Sequence, residues 1–194
     1  MKSLTNMRQD AQKIFSAALE AVSPEKAIRK YCQIEDNRFR IGTNELDLDS
    51  FNNIFVIGCG KASAPMACAI EGLLGDRISD GIVISKYGHL SDLKRIQLVE
   101  AAHPVPDQNG LKGTLRIMDM AQASDSKDLV LCLLSGGGSA LLPLPAAPLT
   151  MMDKQQTINV LIACGATIHE INTIRKHTSA IKGGLLAQAV YPAT

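Results

Sequence analysis

Apolar residues recur along the chain with two different periods. Met7, Ala11, Ile14, Phe15, Ala18, Leu19 and Val22 fall three or four positions apart, which predicts an amphipathic helix over residues 5–22 with Thr5 available as its cap. Ser23, Pro24 and Glu25 form a second cap and first-turn signal, so a short helix runs to about Cys32. Residues 35–53 are polar, hold Gly42 and Asn44, and alternate weakly at Phe39, Ile41, Leu46 and Leu48; they read as a loop or a small hairpin. At residue 54 the pattern changes. Short runs rich in Val, Ile or Leu, at 54–57, 82–85, 96–101 and 129–134, alternate with helical patterns at 63–74, 109–123 and 149–164. Runs apolar on both faces are the signature of buried parallel strands joined by crossover helices. They predict an α/β fold: a Rossmann-like parallel sheet with flanking helices and ligands at the carboxyl ends of the strands. Further helices follow at 168–175 and 179–189, and Tyr191, Pro192, Ala193 and Thr194 stand where an α/β chain next enters a strand.

Composition narrows the class. Of the 194 residues 46% are hydrophobic and 4% aromatic, with no Trp, which suits an α/β enzyme better than a β-sandwich. Twenty Lys and Arg against 19 Asp and Glu give a net charge of +1, no electrostatic footprint for nucleic acid. No apolar run approaches the roughly 20 residues that span a bilayer, so no membrane partner is expected. The polar start lacks the apolar stretch of a secretory signal, and the expected compartment is the cytoplasm. The five cysteines are odd in number, widely spaced and in no CxxC pair; set among apolar neighbours, they read as reduced core thiols.

Four segments carry candidate chemistry. In residues 54–63 a strand leads into Gly58 and Gly60 and then Lys61 at the mouth of a helix. Glycines there let backbone approach an anion at the helix start and Lys61 adds a mobile cation, but a plain βα turn with an exposed lysine has the same residues. The intervals of a Walker A loop and of GxGxxG are missing. Residues 131–142 set Gly136, Gly137 and Gly138 between Ser135 and Ser139, directly after a buried strand. Three glycines are entropically expensive, and as a nest of N–H donors they suit a phosphate or carboxylate, so function is favoured here over a plain loop. Ser139 lacks the second glycine of a nucleophile elbow. In residues 100–110 two prolines fix a loop holding His103 and Asp107; Asp107 is equally placed to cap the next helix, and His103 reads more readily as structural. Residues 169–184 crowd Glu170, Asn172, Arg175, Lys176, His177 and Lys182 around helix breaks. Arg175 and Lys182 are placed to clamp an anion, although by residue type alone the segment is a charged solvated face.

Taken in order and at these intervals, GKAS, HPVPD, LLSGGGSALL and NTIRKHTSAIKGG closely resemble the N-terminal half of the class II glycerate kinases, some of which carry the older name hydroxypyruvate reductase. The resemblance covers nearly the whole chain. It implies that residues 1–194 are the N-terminal Rossmann-like domain of a two-domain enzyme with its active site between the domains. It further implies transfer of the γ-phosphoryl of ATP to D-glycerate, most often giving 2-phosphoglycerate, with a divalent metal, usually Mg2+, whose ligands it does not identify. Lys61 becomes the leading catalytic candidate. Gly60, the loop from Ser135 through Gly136, Gly137 and Gly138 to Ser139, and Asp107, Arg175 and Lys182 become candidates for binding substrate or phosphate. Two departures stand out: Leu185 occupies a position where the family often has Arg or Gly, and the family's next strand, with an acidic, glycine-containing motif, and its second domain are not in this sequence. The expectation is therefore a stretch inactive alone, with an exposed sheet edge that favours self-association into a homo-oligomer. The rival readings are a non-catalytic module that holds a small anion and, more weakly, an NAD-dependent hydroxypyruvate reductase.

Overall fold

The computed structural model describes residues 3–194. Helix α1 (Leu4–Ala21) is capped by Ser3, whose hydroxyl accepts from the Asn6 N–H, in place of the expected Thr5. Its apolar side chains Met7, Ile14, Phe15 and Leu19 are exposed. Helix α2 (Pro24–Tyr31) starts under Ser23 and rests Ile28 against the core.

The polar stretch that follows holds the expected hairpin and extends it by a third strand. Strands β1 (Cys32–Glu35), β2 (Arg38–Ile41) and β3 (Asn44–Asp47) form an antiparallel meander, with Glu35 opposite Arg38 and Ile41 opposite Asn44. Each connection is therefore two residues long. Asp36 (φ 53°) and Gly42 (φ 61°) supply the left-handed backbone that such tight turns need. Phe39 is fully buried and joins the meander to the core cluster that also holds Ile54, Val56, Ala67 and Ile70.

The remaining strands are β4 (Asn53–Cys59), β5 (Asp80–Lys86), β6 (Ile96–Ala101) and β7 (Asp128–Leu134), all parallel in the order β6-β5-β4-β7. Helices α3 (Ser63–Leu74) and α4 (Gln108–Ala123) make the crossovers. The chain winds outward from β4 to β6 and then returns to lay β7 on the other side of β4. The switch point of this Rossmann-like sheet therefore lies between β4 and β7, where such sheets bind ligands. Each face carries its own core: the meander and α3 cover one, and Ile57, Ile82, Ile84, Ile117 and Ile181 fill the other.

Beyond β7 come α5 (Gly138–Leu141), α6 (Met151–Ala163), α7 (Ile168–His177) and α8 (Leu185–Val190). Thr150 with Asp153 and Thr167 with Glu170 form reciprocal capping boxes that start α6 and α7. The helix expected over 179–189 is cut short because Gly183 (φ 68°) and Gly184 (φ 96°) break it, so it begins only at Leu185. Thr194 donates to Asp128 O at 3.0 Å and accepts from Val130 N–H at 2.8 Å, the alternation of a parallel neighbour on the outer edge of β7. No helix among the described residues is long and apolar enough to cross a membrane.

The cysteine expectation needs correction. Cys32 and Cys59 are buried, but Cys68, Cys132 and Cys164 are exposed. The apolar neighbours of Cys132, Leu131 and Leu133, point to the opposite face of β7, and the buried Ala67 and Ala69 likewise flank an outward-facing Cys68.

Phe39→Ala removes the one fully buried aromatic side chain of the meander. Destabilisation by about 3–5 kcal/mol is expected in denaturant unfolding. A loss below about 1 kcal/mol would show that the meander is not seated by this side chain.

Candidate functional site

At the switch point the turns after β4 and β7 lock together through backbone. Ser135 N–H donates to Cys59 O at 3.1 Å and Lys61 N–H donates to Gly136 O at 2.9 Å. The Ser135 hydroxyl accepts from Ala62 N–H at 3.0 Å, which supplies a cap that Ala62, at the start of α3, cannot. Gly60 N–H donates to Ile84 O, and the Gly60 carbonyl accepts from the hydroxyls of Ser63 at 2.8 Å and Ser85 at 3.3 Å.

This geometry divides the candidate glycines. A Cβ on Gly60 would lie 2.1 Å from Ser135 Oγ, and one on Gly58 would lie 2.4 Å from Leu133 O. Both are glycine because β4 and β7 approach each other there; the space beside Gly60 is filled by Ser135, not open to an anion. A Cβ on Gly138 would meet Cys59 Sγ at 2.9 Å. Gly137 has φ +90°, and its Cβ would lie 3.1 Å from the His103 ring and 3.2 Å from Lys61 Cγ. Gly136 is different: a Cβ there meets nothing within 4 Å. Among the described residues no acceptor is assigned to the N–H of Gly136 or Gly137. The loop therefore presents two free donors, flanked by the exposed Lys61, the half-buried His103 and the exposed Ser139.

His103 is a functional candidate that sequence pattern undervalued. Partial burial, then the charges of Lys61 and Lys86, hold its imidazole below the ordinary range, so the edge of the sheet is electropositive and the ring is kept neutral. The signal was in the flanking Pro104 and Pro106, but which turn the loop would face depends on strand order. Asp107 is occupied structurally. Its Oδ1 accepts from Gly110 N–H at 2.9 Å to cap α4, and its Oδ2 accepts from Tyr87 Oη at 2.8 Å. Despite partial burial, these bonds keep its carboxyl below the usual range.

Arg175 and Lys182 do come together. They line a cavity of ≈ 130 Å³ with Pro104, Pro106, Ser139 and Lys154. Lys182 Nζ donates to Leu142 O at 2.6 Å, and burial first, then the charge of Lys154, lowers its pKa to about 8. Lys182 and Ser139 also line a second, largely apolar cavity of ≈ 490 Å³ beside Cys59, Leu142 and Ile181. Among the described residues no group of three or more His, Cys, Asp or Glu is arranged to hold a metal ion.

The strand order and the donors gathered at its switch point define an α/β protein with a Rossmann-like parallel sheet, whose carboxyl edge presents free backbone N–H groups beside Lys61 and His103. The chain belongs to the family described as "Domain of unknown function (DUF4147)", whose model matches residues 10–194. It is similar to a glycerate 2-kinase of Pyrococcus horikoshii, with 36% identity over 185 residues covering 95% of this chain and 41% of that one. A protein of Agrobacterium vitis provisionally named hydroxypyruvate reductase is 41% identical over 186 residues, covering 96% of this chain and 39% of that one. The crystal structure of a glycerate kinase from Thermotoga maritima matches with a TM-score of 0.81 and 34% identity, over 98% of this chain and 43% of that one. The chain thus spans about two fifths of the length of the curated relatives it matches.

Two glycine variants separate packing from binding. Gly60→Ala forces a side chain against Ser135 at φ +133° and is expected to destabilise the fold by about 3 kcal/mol or more. Gly136→Ala points into open space and should keep the melting temperature within a few degrees while weakening ATP binding about tenfold, measured by calorimetry. Unchanged ATP affinity would take the loop out of the binding site.

His103 gives a pH test. Its folded pKa lies below the unfolded value of about 6.5, so the unfolded chain binds more protons and stability falls as pH drops through that value. An anion on the loop should raise the His103 pKa in an NMR titration. An unmoved value at saturating ATP would place the nucleotide elsewhere.

Proposed function

We propose that residues 1–194 are the N-terminal, Rossmann-like domain of a class II glycerate kinase, which transfers the γ-phosphoryl group of ATP to D-glycerate and gives 2-phosphoglycerate. The observation that carries this reading is the convergence of Lys61, His103 and the free N–H groups of Gly136 and Gly137 at the β4/β7 switch point. Phosphoryl transfer asks little covalent chemistry of a protein. It needs donor and acceptor held in line and charge neutralised on the transferred oxygens. Lys61 supplies a mobile cation on a main chain pinned by its N–H to Gly136, and the two glycine N–H groups supply fixed dipoles that need no reorganisation. Arg175 and Lys182, one cavity away, supply positive charge for a further anionic group. Mg2+ supplies charge neutralisation on nucleotide phosphates when it is bound. The residues described here form no cage for it, so in this reading it arrives with the nucleotide.

A nicotinamide-dependent reductase is disfavoured by the end of β5. A dinucleotide fold of that kind sets an acidic residue there for the ribose hydroxyl, whereas this strand ends in Ser85, which is buried, and Lys86.

A coupled assay for ADP release tests the proposal on the polypeptide that contains these residues. ATP- and D-glycerate-dependent turnover is expected, with Lys61→Ala lowering kcat at least about a hundredfold, roughly 2.7 kcal/mol of transition-state stabilisation. NADH oxidation with hydroxypyruvate in place of ADP release would replace the kinase reading with the reductase.

A further inference from the structure

Lys154 belongs to none of the four sequence motifs, yet it is 9% exposed, and its Nζ donates to Thr178 O, at the end of α7, at 3.2 Å. It comes from α6, Arg175 from α7 and Lys182 from the loop before α8, and the three line one cavity. They repel one another. Burial, then the charge of Arg175, lowers the Lys154 pKa; burial, then Lys154 and Arg175, lowers that of Lys182 against an opposing effect of Cys59. No carboxylate contributes to either shift, and none of the three cations stands in a salt bridge among the described residues. Capping a carbonyl occupies one of an ammonium's three protons and needs no charge, since a glutamine amide would serve. Gln155 does this next door, donating to Pro106 O at 2.8 Å and tying α6 to the loop that forms the far wall. Three gathered cations without a counter-ion are costly unless an anion compensates them.

We propose that Lys154, Arg175 and Lys182 form a binding site for a small phosphate-bearing molecule, beside the glycine loop and separate from it. That Arg175 and Lys182 face an anion rests on the function proposed above; the role of Lys154 and the choice of phosphate do not. A carboxylate neutralises one of the three charges. A phosphate dianion, with oxygens in tetrahedral directions, answers donors that arrive from three separate elements.

Lys182 makes the site sensitive to pH. The groups that face it are Lys154 from α6, Arg175 from α7 and Cys59 from β4, whose thiol is pushed up to about 12 by burial and stays uncharged near neutrality. With its own pKa near 8, Lys182 is charged at pH 7 and largely neutral at pH 9. Phosphate affinity should therefore fall over that range, and binding at pH 8 should draw a proton onto Lys182.

Calorimetric titration of the whole chain with inorganic phosphate, in two buffers of different ionisation enthalpy, tests both points. Glycerol phosphate serves as the monoester arm and distinguishes an organic phosphate from the free ion. Lys154→Met should weaken phosphate binding at least about tenfold, while Lys154→Arg, which keeps the charge, should hold it within about threefold. Phosphate binding lost in Lys61→Ala but untouched in Lys154→Met would put the anion in the glycine loop and overturn the proposal. Absence of proton uptake by the unmodified protein at pH 8, after correction for the ionisation of phosphate itself, would overturn the pH dependence assigned to Lys182. Phosphate binding that Lys154→Met weakens, in a polypeptide with no glycerate-dependent ADP release, would leave this site standing and remove the kinase.

Discussion

Between β4 and β7 the main chains come so close that no side chain fits at Gly58 or Gly60, and the rest of the carboxyl edge is built from that contact. The Ser135 hydroxyl occupies the space a side chain on residue 60 would need, and there it caps α3. Lys61 is pinned through its N–H to Gly136, so its ammonium starts from a fixed root. With the two turns fixed, Gly137 must pass beneath His103, which carries the β6 loop to the same spot. Side chains from three separate strand ends are thus held in register by backbone approach, with no ion pair or disulfide among them.

That contact also explains why one glycine run performs unlike tasks. Gly138 yields to Cys59 and Gly137 to a left-handed turn, both demands of packing and backbone. Gly136 answers to neither, and its open side leaves the free N–H groups accessible, the side from which an anion would reach them in the proposed kinase. Two of the three entropically costly glycines are thereby accounted for by the fold, and Gly136 is left to the proposed ligand.

Much of this was legible in the sequence. The α3 and β6 boundaries follow from the apolar pattern alone, and the glycine run and Lys61 mark the switch point before its strand order is known. The β2-β3 hairpin of the meander shows in the alternation of Phe39, Ile41 and Leu46 around Gly42, but β1 does not, because its four residues follow directly on α2 and its turn signal, Asp36 with Asn37, is weak beside the polar composition. Residues 179–184 carry a helical pattern that two glycines at positive φ override. Lys154 was invisible for a deeper reason. A lysine in a helix reads as solvated, and only the packing of α6 against α7 and the loop of Pro104 and Pro106 buries it.

The near-neutral net charge of +1 conceals a separation of roles. Several carboxylates are committed to backbone N–H groups: Asp107 at α4, Asp153 at α6, Glu170 at α7, and Glu71 on the N–H groups of Lys94, Arg95 and Ile96. Each bond helps to hold its acid in the charged form. Lys61, Lys86, Lys154, Arg175 and Lys182 are left at or beside the carboxyl edge with no acid paired to them among the described residues. The capping boxes that start α6 and α7 thus do two things at once. They fix the helices that deliver Lys154 and Arg175, and they commit the side chains of Asp153 and Glu170 to backbone N–H groups. The acids Glu20, Glu25, Glu45, Asp49 and Asp76 are paired elsewhere, with Lys26, Arg29, Arg38, Arg77 and Arg95, so among the described residues a protein of balanced composition keeps the five cations at or beside the carboxyl edge unpaired.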